Sequence, residues 1–213
     1  MGLICSCPAA EYLETIPAVT CPENFGQIQK VAFQRLVASG VKNGLATTND
    51  AYKKEATWTA LLSANNSTKI VISPFINNPT DGGGDARLSS GGNDDLGGVQ
   101  VVLGGNPVTF EGQLRAVPQT TIAIIKKLMC EADAGNLGVY LFDEYGRVEC
   151  QYDSTLSKYC PIPIRALFIS SLLHGNYDAL DANTISWQYL DNYSDTTKIF
   201  TPDDFNPLTD LWL

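Results

Sequence analysis

Leu137-Gly-Val-Tyr-Leu-Phe-Asp-Glu-Tyr-Gly-Arg-Val-Glu-Cys-Gln-Tyr152 is the stretch on which the fold class turns. Two runs rich in β-branched and aromatic residues, 137–142 and 147–152, flank Asp143-Glu144-Tyr145-Gly146, whose acids and glycine favour a tight reversal. The spacing predicts an antiparallel hairpin. Downstream, Ile162–Leu173 alternates at Ile162, Ile164, Ala166 and Phe168 and predicts a long strand. Asn183–Leu190 predicts another, with Ile185, Trp187 and Tyr189 on one face. Upstream, Pro118 suits a first helical turn, and Ile122, Ile125, Leu128 and Met129 recur at helical spacing through Cys130 until Gly135 stops them. Lys69–Ile76 predicts a strand in which Pro74 marks an edge or bulge.

The first sixty residues read less directly. Val31, Phe33, Arg35 and Val37 alternate like a half-buried strand, while Ile28, Val31, Ala32 and Arg35 would share a helix face. The β-branched and aromatic run between Gly26 and Gly40 favours the strand. Residues 41–50 read as loop, with Asp50 as the cap of a short helix carrying Trp58, Leu61 and Leu62. Between Gly82 and Gly105 fall nine of the 18 glycines, among Asp81, Asp85, Asn93, Asp94 and Asp95. Such a stretch cannot form a core of its own and reads as a long acidic loop. Val99–Leu103 and Val108–Val117 on its far side predict a hairpin turned at Gly104-Gly105-Asn106-Pro107. The expected architecture is mainly β (α+β): an antiparallel sandwich or barrel of about eight strands flanked by one main helix. Residues 1–213 form a single domain in this reading, with an N-terminal arm at 1–24, the long loop at 80–98 and a C-terminal arm at 195–213. That last segment mixes Pro202, Pro207 and acids with Phe205, Leu208, Leu211 and Trp212, and needs somewhere to dock, in its own fold or on a neighbour.

Composition narrows the chemistry. A chain of 213 residues buries roughly 70% of its unfolded surface and needs no metal or disulfide to hold a core. Its net charge of −9 disfavours gripping nucleic acid through phosphates. Acids are concentrated late: residues 1–60 carry five acids and five bases, residues 181–213 six acids and one base. Charged residues make up 17%, below the usual quarter, which suits a surface partly covered by partners. No apolar run approaches a membrane span. Met1-Gly2 with Ser6 fits the myristoylation pattern loosely, without a basic patch as second signal, and the start is a poor secretory signal.

No catalytic, cofactor-binding or metal-ligating residues are assigned. The single histidine, His174, excludes two-histidine metal sites and reads as a surface residue at a strand end. Cys5, Cys7, Cys21, Cys130, Cys150 and Cys160 lack paired Cys-x-x-Cys units and read as reduced thiols, several packed as small hydrophobes. The glycine-rich stretch contains Arg87 but no lysine, so it is no P-loop, and the β-branched run after it is no dinucleotide helix. Calcium is the chemistry its hard oxygens allow, although neither the EF-hand spacing nor a tandem calcium repeat is present. The pairs Asp143-Glu144 and Asp203-Asp204 read as solvated faces.

Four phrases then carry a likeness. Thr20-Cys-Pro-Glu-Asn-Phe-Gly-Gln-Ile-Gln-Lys-Val-Ala-Phe-Gln-Arg, Thr68-Lys-Ile-Val-Ile-Ser-Pro-Phe-Ile and Leu137-Gly-Val-Tyr-Leu-Phe-Asp-Glu-Tyr-Gly-Arg-Val resemble virion structural proteins of tailed bacteriophages of Bacteroidetes. Asn183-Thr-Ile-Ser-Trp-Gln-Tyr-Leu-Asp-Asn-Tyr-Ser-Asp is similar to the terminal strand and following loop of tail tube subunits. The resemblance spans about two thirds of the chain. It implies a non-enzymatic virion protein, assembled in the host cytoplasm without a membrane, whose copies form hexameric rings. Those rings stack into a hollow tube that passes DNA without specific binding and joins other tail or neck proteins. The 122–129 helix would pack outside, and the 80–98 loop and terminal arms would grip adjacent rings. Capsid decoration, a tail adaptor or terminator, and a calcium-dependent surface-binding module are the alternatives.

Overall fold

The computed structural model describes residues 15–20, 24–93 and 97–211. Its strands in chain order are β1 (Ile28–Arg35), β2 (Val37–Ala38), β3 (Val41–Lys42), β4 (Leu45–Ala46), β5 (Ile70–Ile72), β6 (Asn77–Gly82), β7 (Ala86–Leu88) and β8 (Val102–Gly105). They continue as β9 (Thr109–Arg115), β10 (Leu137–Asp143), β11 (Val148–Asp153), β12 (Lys158–Cys160), β13 (Ile162–Ile169), β14 (Ala182–Tyr189) and β15 (Thr197–Phe200). Three helices join them: α1 (Glu55–Leu62), α2 (Gln119–Lys126) and α3 (Leu128–Asp133). The described residues fall into two compact units, one built from 25–82 and 107–211, the other from 83–106 with the described part of 1–24.

In the larger unit the predicted hairpin is β10–β11, and β10 is its hub. All seven β10 residues are buried, because the strand is central and both its faces are covered. Alternation divides them. Leu137, Val139 and Leu141 enter one core with Val31, Phe33, Ile162 and Trp187. Tyr140 and Phe142 enter a second with Ala32, Trp58, Val148 and Phe200. The antiparallel register Phe33↔Val139 and Ala32↔Tyr140 keeps the two sets of β1 and β10 residues in step. Gly138 permits close approach: a Cβ there would meet Leu36 Cδ2 at 2.7 Å and Pro161 Cβ at 2.9 Å. The strand reading of β1 is therefore correct, and the fold is the expected β-rich, antiparallel α+β class.

β13 is the corner. It pairs with β10 at Ile162 and Pro163, then with β14 from Ile164 to Ile169. The predicted alternation fails midway, because the register shifts between Arg165 and Phe168 and Ala166 has φ 49°. Leu167 and Ile169 are buried, while Phe168 is 54% exposed. A bulge of this kind lets one strand serve two sheet regions. Beyond it, β14 pairs with β9 along seven residues, and β9 with β6. Ile185, Trp187 and Tyr189 share the buried face as expected, with Trp187 stacked on Phe110 at 4.0 Å.

Several local expectations are corrected. The hairpin predicted for 99–103 with 108–117 does not form: β8 pairs with β7, and β9 lies between β14 and β6. Burial decided it, since Phe110 and Leu114 reach the core only beside β14. The one main helix is two short ones, because the bond at Lys127 N–H tightens to the carbonyl of Ile124. Ile122, Ile125 and Ala132 still face the first core, and Gly135 (φ 68°) ends α3 in a Schellman pattern. Residues 41–50 contain β3 and β4. Asp50 does not cap α1, whose first N–H, that of Glu55, is accepted by Asp204 Oδ1 from the tail at 2.9 Å. The tail, by contrast, docks in its own fold as far as Leu211, one of the two outcomes expected of it: β15 pairs with β11, Leu211 is buried, and Phe205 and Leu208 pack on the second core.

The smaller unit is a ribbon rather than a structureless loop. β7 and β8 pair from Ala86↔Gly105 to Leu88↔Val102, and Ser89 N–H donates to the carbonyl of Val101. A bridge between Gly92 and Gly98 continues it. Of the residues read as arm or loop, 1–14, 21–23 and 94–96 lie outside the described residues, as does Trp212 of the tail.

Candidate assembly surfaces

A sheet with open edges can be joined by another strand, and proteins usually defend those edges with charge, proline or bulges. β6 pairs only with β9, and it carries Pro79, Asp81 and a register shift between Asn77 and Thr80. β15 pairs only with β11 and carries Lys198. β5 pairs only with β1, and its three residues, Ile-Val-Ile, contain none of these devices.

That edge, flanked by Lys69 and Pro74, borders an open groove of about 630 Å³ in the larger unit. Ile70, Ile72, Leu62, Val117 and Ile124 supply its apolar wall, and Lys69 is its one charged lining residue. Ile124, one turn past the start of α2, is 59% exposed. The 83–106 ribbon carries the other apolar surface: Leu88, Val99, Val101, Val102 and Leu103 are all exposed. β8 pairs only with β7, so its outer edge is open as well.

The buried ionisable groups serve the fold. Lys30 lies on the β1 face shared with Ala32 and Gln34 and is fully buried. Its Nζ donates to the carbonyl of Leu208 at 2.6 Å and sits 4.3 Å from the centre of the Phe75 ring. Burial pulls its pKa down to about 8. Asp143, read as solvated, is fully buried at the β10–β11 turn. Its carboxylate accepts from the N–H groups of Gly26, Tyr145 and Arg147 and pairs with the Arg147 guanidinium at 2.6 Å. Asp203 and Asp204 are exposed, as read, while Asp203 pairs with Lys53 and Lys54 and Asp204 accepts from the Glu55 N–H. Burial raises the carboxyl pKa of Asp81 and of Glu149, and the Asp81 charge raises the latter further, against a lowering hydrogen bond from Thr197.

The other singled-out residues form no constellation. His174 is 81% exposed with Nδ1 3.5 Å from Asp181 Oδ2. Cys150 and Cys160 are buried, Cys130 is exposed, and all three are free thiols; burial pushes the Cys150 and Cys160 thiols up. Cys5, Cys7 and Cys21 lie outside the described residues, as do Asp94 and Asp95. Among the described residues no group of three or more His, Cys, Asp and Glu is placed to hold a metal ion. No helix among them is long and apolar enough to cross a membrane.

No protein family matches the chain, and no curated protein does. Among solved structures it is similar to a chain of the anti-feeding prophage (AFP) baseplate determined by cryo-electron microscopy with six-fold symmetry. The two are 10% identical, the match covers 89% of this chain and 99% of that one, and the TM-score is 0.33. At that value the likeness carries no weight for fold or role.

Proposed function

We propose that this chain is a non-enzymatic virion structural protein, specifically a tail tube subunit whose copies form hexameric rings that stack into a conduit for phage DNA. The phrases at 20–35, 68–76, 137–148 and 183–195 support the class through the resemblance they carry. The structural observation that supports assembly is the pair of open, apolar strand edges, at β5 and along the 83–106 ribbon.

Charge contributes less than the composition promised. A DNA-repelling wall needs acids facing a lumen. Asp203, Asp204 and Asp210 are instead engaged by Lys53, Lys54, the Glu55 N–H and the Asn206 N–H. The net charge of −9 still disfavours tight retention of DNA. Molar mass by light scattering across a concentration series tests the reading. Steps to six copies and multiples of six support it; rings that stop at a single layer point to an adaptor, and monomers throughout refute it.

A further inference from the structure

We propose that the loop between β13 and β14, residues 170–181, seats its tip in the groove beside β5 of a second copy of this chain, and that the second copy returns the same contact. Both surfaces belong to the larger unit, and the contact does not depend on rings or tubes. The loop is a built knob. Leu173 and Ala182 exchange main-chain hydrogen bonds at 2.8 and 3.0 Å, Gly175 N–H donates to Asp181 Oδ1 at 2.7 Å, and the N–H groups of Asp178 and Ala179 donate to Asn176. Held in this way, the loop leaves Leu173, Tyr177 and Leu180 exposed, Tyr177 entirely so. A fixed main chain loses little freedom on docking, and tyrosine is among the residues that anchor interfaces. The groove, at about 630 Å³, is of a size that buries a small organic ligand, enough for a tyrosine ring and a leucine.

The position of the knob selects the occupant. Asp181, the last residue of the loop, accepts through its carbonyl from Ala116 N–H at 2.9 Å, and Ala116, Val117 and Pro118 line the groove. The root of the knob and the rim of the groove are therefore adjoining parts of one surface. Tyr177, wholly exposed, does not fill the groove of its own chain. A patch that carries a knob beside a fitting hole is self-complementary: a two-fold axis between two copies seats each knob in the other's groove and forms the contact twice. Charge agrees. Lys69 is the one charged residue lining the groove, and Asp178 follows Tyr177 at the tip. Both are exposed, and neither makes an ion pair among the described residues. Two contacts of this size make a weak interface, formed at high concentration and lost on dilution.

The test replaces Tyr177 with the photo-crosslinking residue benzoylphenylalanine, which keeps an aromatic ring at the tip. An equal mixture of ¹⁴N- and ¹⁵N-labelled protein is irradiated at high concentration, and its crosslinked peptides are read by mass spectrometry. Mixed-isotope links from position 177 to the peptides containing 69–74 or 116–124 are the expected result. Links within one isotope only, or links to any other peptide, would overturn the contact. Charge reversal provides the second arm. Lys69→Glu and Asp178→Lys should each leave the melting temperature unchanged and lower the mixed-link yield about fivefold or more, and the double variant should restore it. A double variant as poor as either single one would overturn the pairing and the contact with it. Rings that form without the link would overturn the contact and leave the tube reading standing; the link in a chain that never forms rings would uphold the contact and refute that reading.

Discussion

Replacing residues 83–106 with Asn-Gly should leave the body folded and abolish its assembly. The design follows from the register. β6 and β9 are antiparallel neighbours whose last pair is Gly82↔Thr109, so the ribbon emerges where an ordinary hairpin turn would close. Pro107 and Val108 are retained, because Val108 packs on the first core and its carbonyl accepts from Tyr189 N–H. No residue of 83–106 belongs to either buried core. The loss of apolar burial in the body is therefore close to zero. Shortening the connection from about 26 residues to about four lowers its closure entropy, which by the logarithmic law contributes at most about 1.7 kcal/mol of stability. Urea unfolding should accordingly show a midpoint equal to the wild type or higher, with an unchanged slope. Light scattering of the same samples should find only monomers. Loss of soluble, cooperatively folding protein would refute the division into a self-sufficient body and a separate ribbon.

Two further predictions address the body itself. Trp187→Ala removes a fully buried ring stacked on Phe110 and set edge-on to Phe33 and Tyr189, and should cost about 3–5 kcal/mol in urea unfolding; an unmoved midpoint would contradict the β9–β14 packing. Lys30→Met tests the buried ammonium. With a folded pKa of about 8 against an ordinary 10.5, the unfolded chain binds more protons between those values, so wild-type stability carries a component that rises with pH across that window and is absent below it. The difference between wild type and Lys30→Met, measured by urea unfolding from pH 7 to 10.5, should shift in favour of the wild type as pH rises. A pH-independent difference would show that Lys30 is not desolvated.

What the sequence disclosed depended on how local the deciding forces are. The β10–β11 hairpin was legible because both its strands and its turn lie within sixteen consecutive residues. Trp187 and its neighbours were legible because β14 alternates without interruption. β13 was not, since its bulge answers to two different partner strands and leaves no mark in its own alternation. The alternation of Val31 and Phe33 marked one buried face of β1, but nothing local marked the burial of Lys30, Ala32 and Gln34 on the other, where Ala32 joins Trp58 and Leu211 in the second core and Lys30 meets the Leu208 carbonyl. The one hint was the apolar tail itself, whose Phe205, Leu208 and Leu211 required a surface. The burial of Asp143 was not legible, because one of the groups it satisfies, the Gly26 N–H, lies more than a hundred residues away. For the candidate surfaces the apolar content of 99–103 was visible, but pairing with β7 rather than β9 was not; the edge position of β5 was signalled by Pro74.

The most direct measurement is negative-stain electron microscopy of the purified full chain at high concentration, without other virion proteins. The account predicts hollow six-fold rings that stack into tubes. Fields of isolated particles of one 23.0 kDa chain at every concentration would contradict it.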